Sequence, residues 1–264
     1  MGVVNVTPDS FSDGGRFLNQ EAAVRHGLDL LAEGADMLDI GGESTRPGAT
    51  AVTAEEELER ILPVIRAIRR QSGAMISVDT MKPQVMRAAA EAGADIWNDV
   101  TALTWSPDSP TVAVELGCPV VLMHMQGEGG AMNADPSYED VVAEVADYLI
   151  GRAEAAMAAG VRREAIWLDP GVGFGKTTAH SLTLLAHLKQ LTGRGFKTLL
   201  GVSRKRFIMA VDPSAAKAAD RLGGSLACAV MGAEAGVDAV RVHDVRETMQ
   251  ALKVWAAVRD ARRL

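Results

Sequence analysis

The sequence predicts an α/β fold, a (β/α)8 TIM barrel that occupies residues 1–264 as a single domain. Three observations carry this reading. Short apolar runs, eight in all, alternate with longer amphipathic stretches. A polar residue stands at the C-terminal end of every run, which suits a closed ring of strands better than an open sheet with one switch point. The 264 residues also match the roughly 250 that one such barrel uses.

The apolar runs lie at 2–6, 37–40, 75–78, 95–97, 119–123, 166–168, 198–202 and 239–242. Helical spacing marks 20–33, 54–70, 84–92 and 138–159 between them. In the second of these, Leu58, Ile61, Leu62, Ile65 and Ile68 recur every three or four residues, which places them on one helix face. The last two helices are expected at 221–235 and 245–259, with Leu226, Val230, Met249, Leu252 and Trp255 mostly facing the barrel. Glu33-Gly34-Ala35-Asp36, Glu91-Ala92-Gly93-Ala94-Asp95 and Glu234-Ala235-Gly236-Val237-Asp238 repeat one solution for the helix-to-strand turn. Glycine stops a helix there because it takes the left-handed conformation.

Hydrophobic residues make up 48% of the chain and aromatics only 4%, a mix that suits helices packed on buried parallel strands. A net charge of −7 argues against nucleic acid as a partner, since phosphate backbones are held by basic surfaces. It leaves room for an anionic small molecule held by local cations. No apolar run approaches a membrane span, and no signal peptide is visible. Cys118 and Cys228 lie far apart in apolar runs and read as buried thiols, which fits a reducing cytoplasm.

At the strand ends stand Asn5, Asp39, Asp79, Asn98 with Asp99, His124, Asp169, Ser203 with Arg204 and Lys205, and Arg241 with His243. In a barrel these converge on one mouth. Helix capping is a serious reading for Asp79, and a structural role suits Asp39. Asp169 is followed by Pro170 and glycines, so no helix starts at once and capping is poor. Capping fails for Lys205, Arg241 and His243, because cations are unfavourable at helix N-termini. A bound anion explains them. Arg241 and His243 alternate about Val242 and so share one face. The loops after the seventh and eighth strands are the usual phosphate site of this fold, and an Arg fork and a His there can hold a diphosphate.

Two long loops, 7–15 and 41–48, are rich in Gly, Ser, Asp and Pro, as expected of segments that close over a site. Asp13 and Arg46 bring charges that could complete it. Gly175-Lys176-Thr177 imitates the end of a phosphate loop, but Gly171 stands one position too close to be its first glycine.

Asn5 to Gly15 (NVTPDSFSDGG), Gly42 to Gly48 (GESTRPG), Ser77-Val78-Asp79-Thr80, Asn98-Asp99, Met123-His124-Met125, Asp169-Pro170-Gly171, Ser203-Arg204-Lys205 and Arg241-Val242-His243 resemble, in order, the dihydropteroate synthase family. The resemblance implies condensation of 6-hydroxymethyl-7,8-dihydropterin diphosphate with 4-aminobenzoate. It implies that Asn5 coordinates Mg²⁺, and that Asp79, Asn98, Asp169 and Lys205, with Phe174, hold the pterin. Thr45, Arg241 and His243 would bind the diphosphate, with Arg46 beside them. Phe11, Pro47, Ser203 and Arg204 would form the aminobenzoate side. Asp13, Asp79 and Lys205 are the expected catalytic residues. A homodimer in the cytoplasm is implied too. The family usually has an N-terminal hairpin before the first strand, whereas this sequence starts at that strand, so either a more open barrel floor or a late recorded start is expected. A pterin-binding corrinoid methyltransferase domain and a catalytically dead pterin-binding barrel are the alternatives.

Overall fold

The computed structural model describes residues 1–7, 16–44, 51–128, 131–132 and 135–261. Strands β1 (Gly2–Asn5), β2 (Met37–Gly41), β3 (Met75–Asp79), β4 (Ile96–Asp99), β5 (Val120–Met123), β6 (Ile166–Asp169), β7 (Lys197–Gly201) and β8 (Ala239–Arg241) pair in parallel in chain order. Val3 N donates to Val242 O at 3.0 Å and Val242 N to Met1 O at 2.9 Å, which joins β8 back to β1. The fold is the expected (β/α)8 barrel.

Around it lie α1 (Arg16–Ala32), α2 (Ala54–Arg69), α3 (Pro83–Glu91), α4 (Ser109–Leu116), α5 (Val141–Ala159), α6 (Thr178–Ala186), α7 (Lys189–Thr192), α8 (Arg206–Val211), α9 (Leu222–Ala235) and α10 (Val245–Ala261). Local chemistry sets their ends. Thr53 and Glu56 form a reciprocal capping box at the start of α2, and Asp140 accepts from Val142 N and Ala143 N at the start of α5. The repeated helix-to-strand turn is real. Gly34 and Gly93 both have φ +108°, and the bonds Ala35 N to Leu30 O, Ala94 N to Ala89 O and Val237 N to Gly232 O repeat.

Strand alternation sorts the side chains into two layers. Leu38, Ile40, Ile76, Val78, Val120, Leu122, Ile166 and Leu168 are fully buried and pack outward against helices, in one cluster with Ile61, Ile65 and Ile68 of α2 and Val145 and Leu149 of α5. Each such side chain contributes about 1.5–3 kcal/mol of burial free energy. Inside the barrel, Met1, Ile96, Val121, Trp167 and Leu199 form a buried apolar cluster at the N-terminal end of the strands. The floor is therefore filled, contrary to the expected openness, because Met1 and large side chains from the four successive strands β4 to β7 meet there.

A second expectation needs correction. Leu226, Val230 and Trp255 do not face the barrel; they line a surface groove between α9 and α10 with Val254 and Val258. Glycines explain the turn of α9. A Cβ on Gly232 would lie 2.7 Å from Leu200 Cδ2, and one on Gly224 2.5 Å from Ile208 Cγ2. Only small residues fit against β7 and α8 on that face, so the bulky residues point outward. Met249 does pack on the core. Cys228 is buried and Cys118 only half-buried; both are free thiols.

Candidate active site

Register brings the strand ends side by side. Asn5 pairs with Gly41, Gly41 with Asp79, Asp79 with Asn98, Met123 with Asp169, and Gly201 with Arg241. The side chains at these positions share the barrel interior. Asn5, Asp79, Asn98, Asp169 and Arg241 thus come together at one mouth, above the apolar floor.

Arg241 organises one side of it. Its Nε donates to Asp39 Oδ2 at 2.6 Å and its Nη2 to Asp79 Oδ2 at 2.9 Å. Asp39 is fully buried and also accepts from Ser77 Oγ at 2.6 Å and Asn98 Nδ2 at 3.2 Å. It is a support beneath the site, in keeping with the structural role expected of it. Burial pushes the Asp79 carboxyl up to about 7; Arg241 opposes this and Asp39 adds to it. Asp79 caps no helix, since α3 starts at Pro83 without a side-chain cap.

Asp169 and Lys205 form the other side. Asp169 Oδ1 accepts from Gly171 N at 2.7 Å. Burial raises its pKa to about 6, against the Gly171 bond and the nearby Lys205 charge. Burial likewise draws Lys205 down to about 8 while Asp169 pulls it back. The Lys205 ammonium lies 3.8 Å from the centre of the Phe174 ring, a cation–π contact. Helix α6 begins only at Thr178 under a Thr177 cap, so the turn before it is no phosphate loop.

Ser203 Oγ accepts from His243 N at 3.2 Å and lies 3.0 Å from His243 Nδ1, which ties the ends of β7 and β8 together. Arg204 adopts the left-handed region at φ +59°. Its N donates to Ser225 Oγ at 2.9 Å, and Arg221 Nη1 donates to its carbonyl at 3.0 Å. Its guanidinium forks onto Asp244, Nε to Oδ2 at 3.0 Å and Nη2 to Oδ1 at 2.5 Å. The backbone turn at Arg204 separates its direction from those of Ser203 and Lys205.

Of the other expected residues, Phe11, Asp13, Thr45, Arg46 and Pro47 lie outside the described residues. Asp99 serves the backbone, accepting from Thr101 N, Thr101 Oγ1 and Leu103 N in a turn where Ala102 and Leu103 have positive φ. Sequence reasoning missed a buried cluster behind Asp79, in which Lys82 Nζ donates to Glu43 Oε2 at 2.5 Å and to Glu57 Oε2 at 2.7 Å. It also missed the contacts of Lys176. A charged residue in an otherwise apolar or glycine-rich segment was the available signal for both.

Among the described residues no group of three or more His, Cys, Asp or Glu is placed to hold a metal ion. Asn5 offers a hard amide oxygen at the mouth. That donor set fits Mg²⁺, which binds through few protein ligands, several waters and substrate phosphates. No helix among the described residues is long and apolar enough to cross a membrane.

The family described as pterin binding enzyme matches residues 1–243. The dihydropteroate synthase of Escherichia coli (strain K12) is 46% identical over 265 residues, covering 99% of this chain and 92% of that protein. The chain belongs to the dihydropteroate synthase family. It is a transferase of that family. Among solved structures, the Xanthomonas albilineans dihydropteroate synthase with 4-aminobenzoic acid is 52% identical and superposes with a TM-score of 0.93, over 98% of this chain and 92% of that one. The same organism's enzyme in complex with 7,8-dihydropteroate is 49% identical, with a TM-score of 0.89 over the same shares.

Proposed function

We propose that this barrel, acting as one domain over residues 1–264, condenses 6-hydroxymethyl-7,8-dihydropterin diphosphate with 4-aminobenzoate. The products are 7,8-dihydropteroate, for folate biosynthesis, and diphosphate. The observation that carries this reading is the mouth itself: two desolvated carboxylates, Asp79 and Asp169, stand with Asn98 and with a lysine poised over an aromatic ring. A pterin presents a guanidine-like edge of N–H donors and a flat ring. Carboxylates and an amide match the edge, and burying those donors unmatched would be costly.

In this reading Asp79, Asn98, Asp169 and Lys205 bind the pterin, with the Phe174 ring beside it. Arg241, His243, Thr45 and Arg46 face the diphosphate. A guanidinium carries five N–H donors, so Arg241 serves the diphosphate while Asp39 holds it. Asn5 holds Mg²⁺, which when bound supplies neutralisation of the leaving group's charge. Phe11, Pro47, Ser203 and Arg204 receive 4-aminobenzoate. The bond from the pterin methylene to the diphosphate oxygen breaks with its electron pair going to diphosphate. Asp79 and Asp13 stabilise the cationic pterin left behind. The aminobenzoate nitrogen then supplies the pair for the new C–N bond and sheds a proton, so no covalent enzyme intermediate forms.

The same reading includes a cytoplasmic homodimer. Two free thiols suit a reducing compartment. For the dimer contact the α9–α10 groove is the candidate face, because Val254 and Val258 beside it are 61% and 49% exposed. Val254→Glu would yield a monomer by light scattering, and an unchanged dimer would exclude this face.

Turnover with both substrates and Mg²⁺, followed through dihydropteroate and diphosphate, tests the reaction. Product that is lost with EDTA and in Lys205→Ala is expected. A folded protein that binds the pterin yet makes no product overturns the reading.

A further inference from the structure

Lys176 belongs to no part of the reaction described above, yet its ammonium is fully engaged. It donates to His124 Nδ1 at 2.8 Å, to His124 O at 3.2 Å and to Phe174 O at 3.0 Å. A lysine has three N–H donors, and here each has an acceptor. The acceptors lie on two separate pieces of chain. His124 follows β5, and Phe174 sits in the turn after β6. Lys176 therefore laces that turn to the neighbouring strand end.

The turn is pressed closely onto β5. A Cβ on Gly171 would lie 1.9 Å from His124 O, and one on Gly175 2.3 Å from Gln126 O. Tyr138 Oη donates to Gly175 O at 2.8 Å from a third direction. His124 is buried and packs edge-on against Tyr148, with ring centres 4.9 Å apart. Burial first, and then the Lys176 charge, lower the His124 pKa to about 3. The ring is thus neutral. Burial draws Lys176 itself down to about 7 while the nearby Asp169 pulls it back, and in its ammonium form it donates to His124 Nδ1. One residue of the laced turn, Phe174, carries the ring that lies under Lys205.

We propose that Lys176 is a positioning residue: by holding the Phe174 carbonyl to the end of β5 it fixes the Phe174 ring beneath Lys205, and so sets the affinity for the pterin substrate. This rests on the reading that Phe174 and Lys205 line the pterin pocket. It predicts a specific pattern, because the aminobenzoate side is built by other residues. Lys176 touches neither substrate and acts through Phe174.

Steady-state kinetics on the full chain tests this, with KM measured separately for the pterin diphosphate and for 4-aminobenzoate. Lys176→Met should raise the KM for the pterin diphosphate about tenfold, the size of one lost charge-assisted hydrogen bond. The KM for 4-aminobenzoate should stay within about twofold. His124→Leu should behave like Lys176→Met, whereas His124→Asn, which keeps an acceptor near the place of Nδ1, should remain close to the parent. In a Phe174→Leu background the Lys176 substitution should add less than about twofold, as expected of residues that act as one unit. Equal changes in both KM values, or effects that multiply with Phe174→Leu, overturn the proposal. If Phe174→Leu alone leaves the pterin KM unchanged, the pocket reading fails and the proposal falls with it. If Phe174→Leu raises it and Lys176→Met does not, only the proposal fails. Should Lys176→Met not fold, Lys176→Gln, which keeps part of the donor set, supplies the same comparison.

Discussion

Arg241 and Asp39 stand 202 positions apart in the chain and meet across the barrel mouth at 2.6 Å. The contact links β8 to β2 over the top of β1, and a second donor from the same guanidinium reaches Asp79. One cation thus holds two carboxylates that would otherwise repel inside a desolvated site.

Arg241→Met should be destabilising as well as inactivating. It leaves Asp39 fully buried without its cation, and breaking such a pair from one side costs about 3–5 kcal/mol. Lys205→Ala and His243→Ala should differ, weakening pterin and diphosphate binding respectively with little effect on folding. Both side chains keep contact with solvent at the mouth. Urea unfolding of the three variants separates the cases. Equal losses in all three would show that the mouth is one structural network with no division of labour.

The carboxylates also predict a pH response. Asp79 and Asp169 titrate near 7 and 6 in the folded protein, above the ordinary value of 3.8. The folded state therefore binds more protons than the unfolded chain between those limits. The stability they contribute is fully present below about pH 4 and is lost as pH rises through 6 and 7. Pterin donors that pair with the ionised forms should expel those protons. Calorimetry at pH 6 in two buffers of different ionisation enthalpy should report proton release on pterin binding. No release would mean that both carboxylates are already ionised, or that the pterin meets them protonated.

These groups show why some of the molecule could be read from sequence and some could not. The αβ-turn repeats around Gly34, Gly93 and Gly236, and the polar residue closing each strand, are local patterns that fix both the barrel and the ring of Asn5, Asp79, Asn98, Asp169 and Arg241. The outward turn of Leu226, Val230 and Trp255 was not legible. Apolar residues at helical spacing say that a face is sticky, not which of two faces packs inward; here Gly232 against β7 and Gly224 against α8 decide it by close approach. The partners of Lys82 and Lys176 were hidden because each arises only once separate strand ends are neighbours. The left-handed backbone of Arg204 and the fork of its guanidinium onto Asp244, which set its direction at the rim, were likewise hidden in the sequence.

Lys82 gives a stability test of that hidden layer. Its ammonium is shared by Glu43 and Glu57, and Glu57 has no exposure to solvent. Glu43 Oε1 also accepts from Val52 N at 3.2 Å, so the cluster joins positions 43 and 52. Lys82→Met should cost about 3–5 kcal/mol at pH 8, because it strands buried carboxylates. The cost should shrink at pH 5. Burial already raises the Glu57 pKa, and without the cation the carboxyl escapes the penalty by taking up a proton. Denaturation curves at both pH values decide this; a cost independent of pH would point to lost packing by the lysine stem.

Two glycines with the same backbone angle separate strain from collision. Gly117 and Gly171 both have φ +62°. At the C-terminus of α4, a Cβ on Gly117 would meet nothing within 4 Å, whereas on Gly171 it would lie 1.9 Å from His124 O. Gly117→Ala should therefore show only the left-handed penalty, about 1–2 kcal/mol, with kcat/KM unchanged. Gly171→Ala adds a backbone clash that no rotamer relieves. The turn must lift from β5, and it takes with it the Gly171 N–H that Asp169 accepts and the ring of Phe174. We expect a loss of more than about 3 kcal/mol, or no folded protein, from Gly171→Ala. Thermal unfolding with kinetics on both variants is the measurement. If Gly171→Ala matched Gly117→Ala in stability and kept its activity, the turn would have room to relax, and its tight seating on β5 would not be what shapes the pocket.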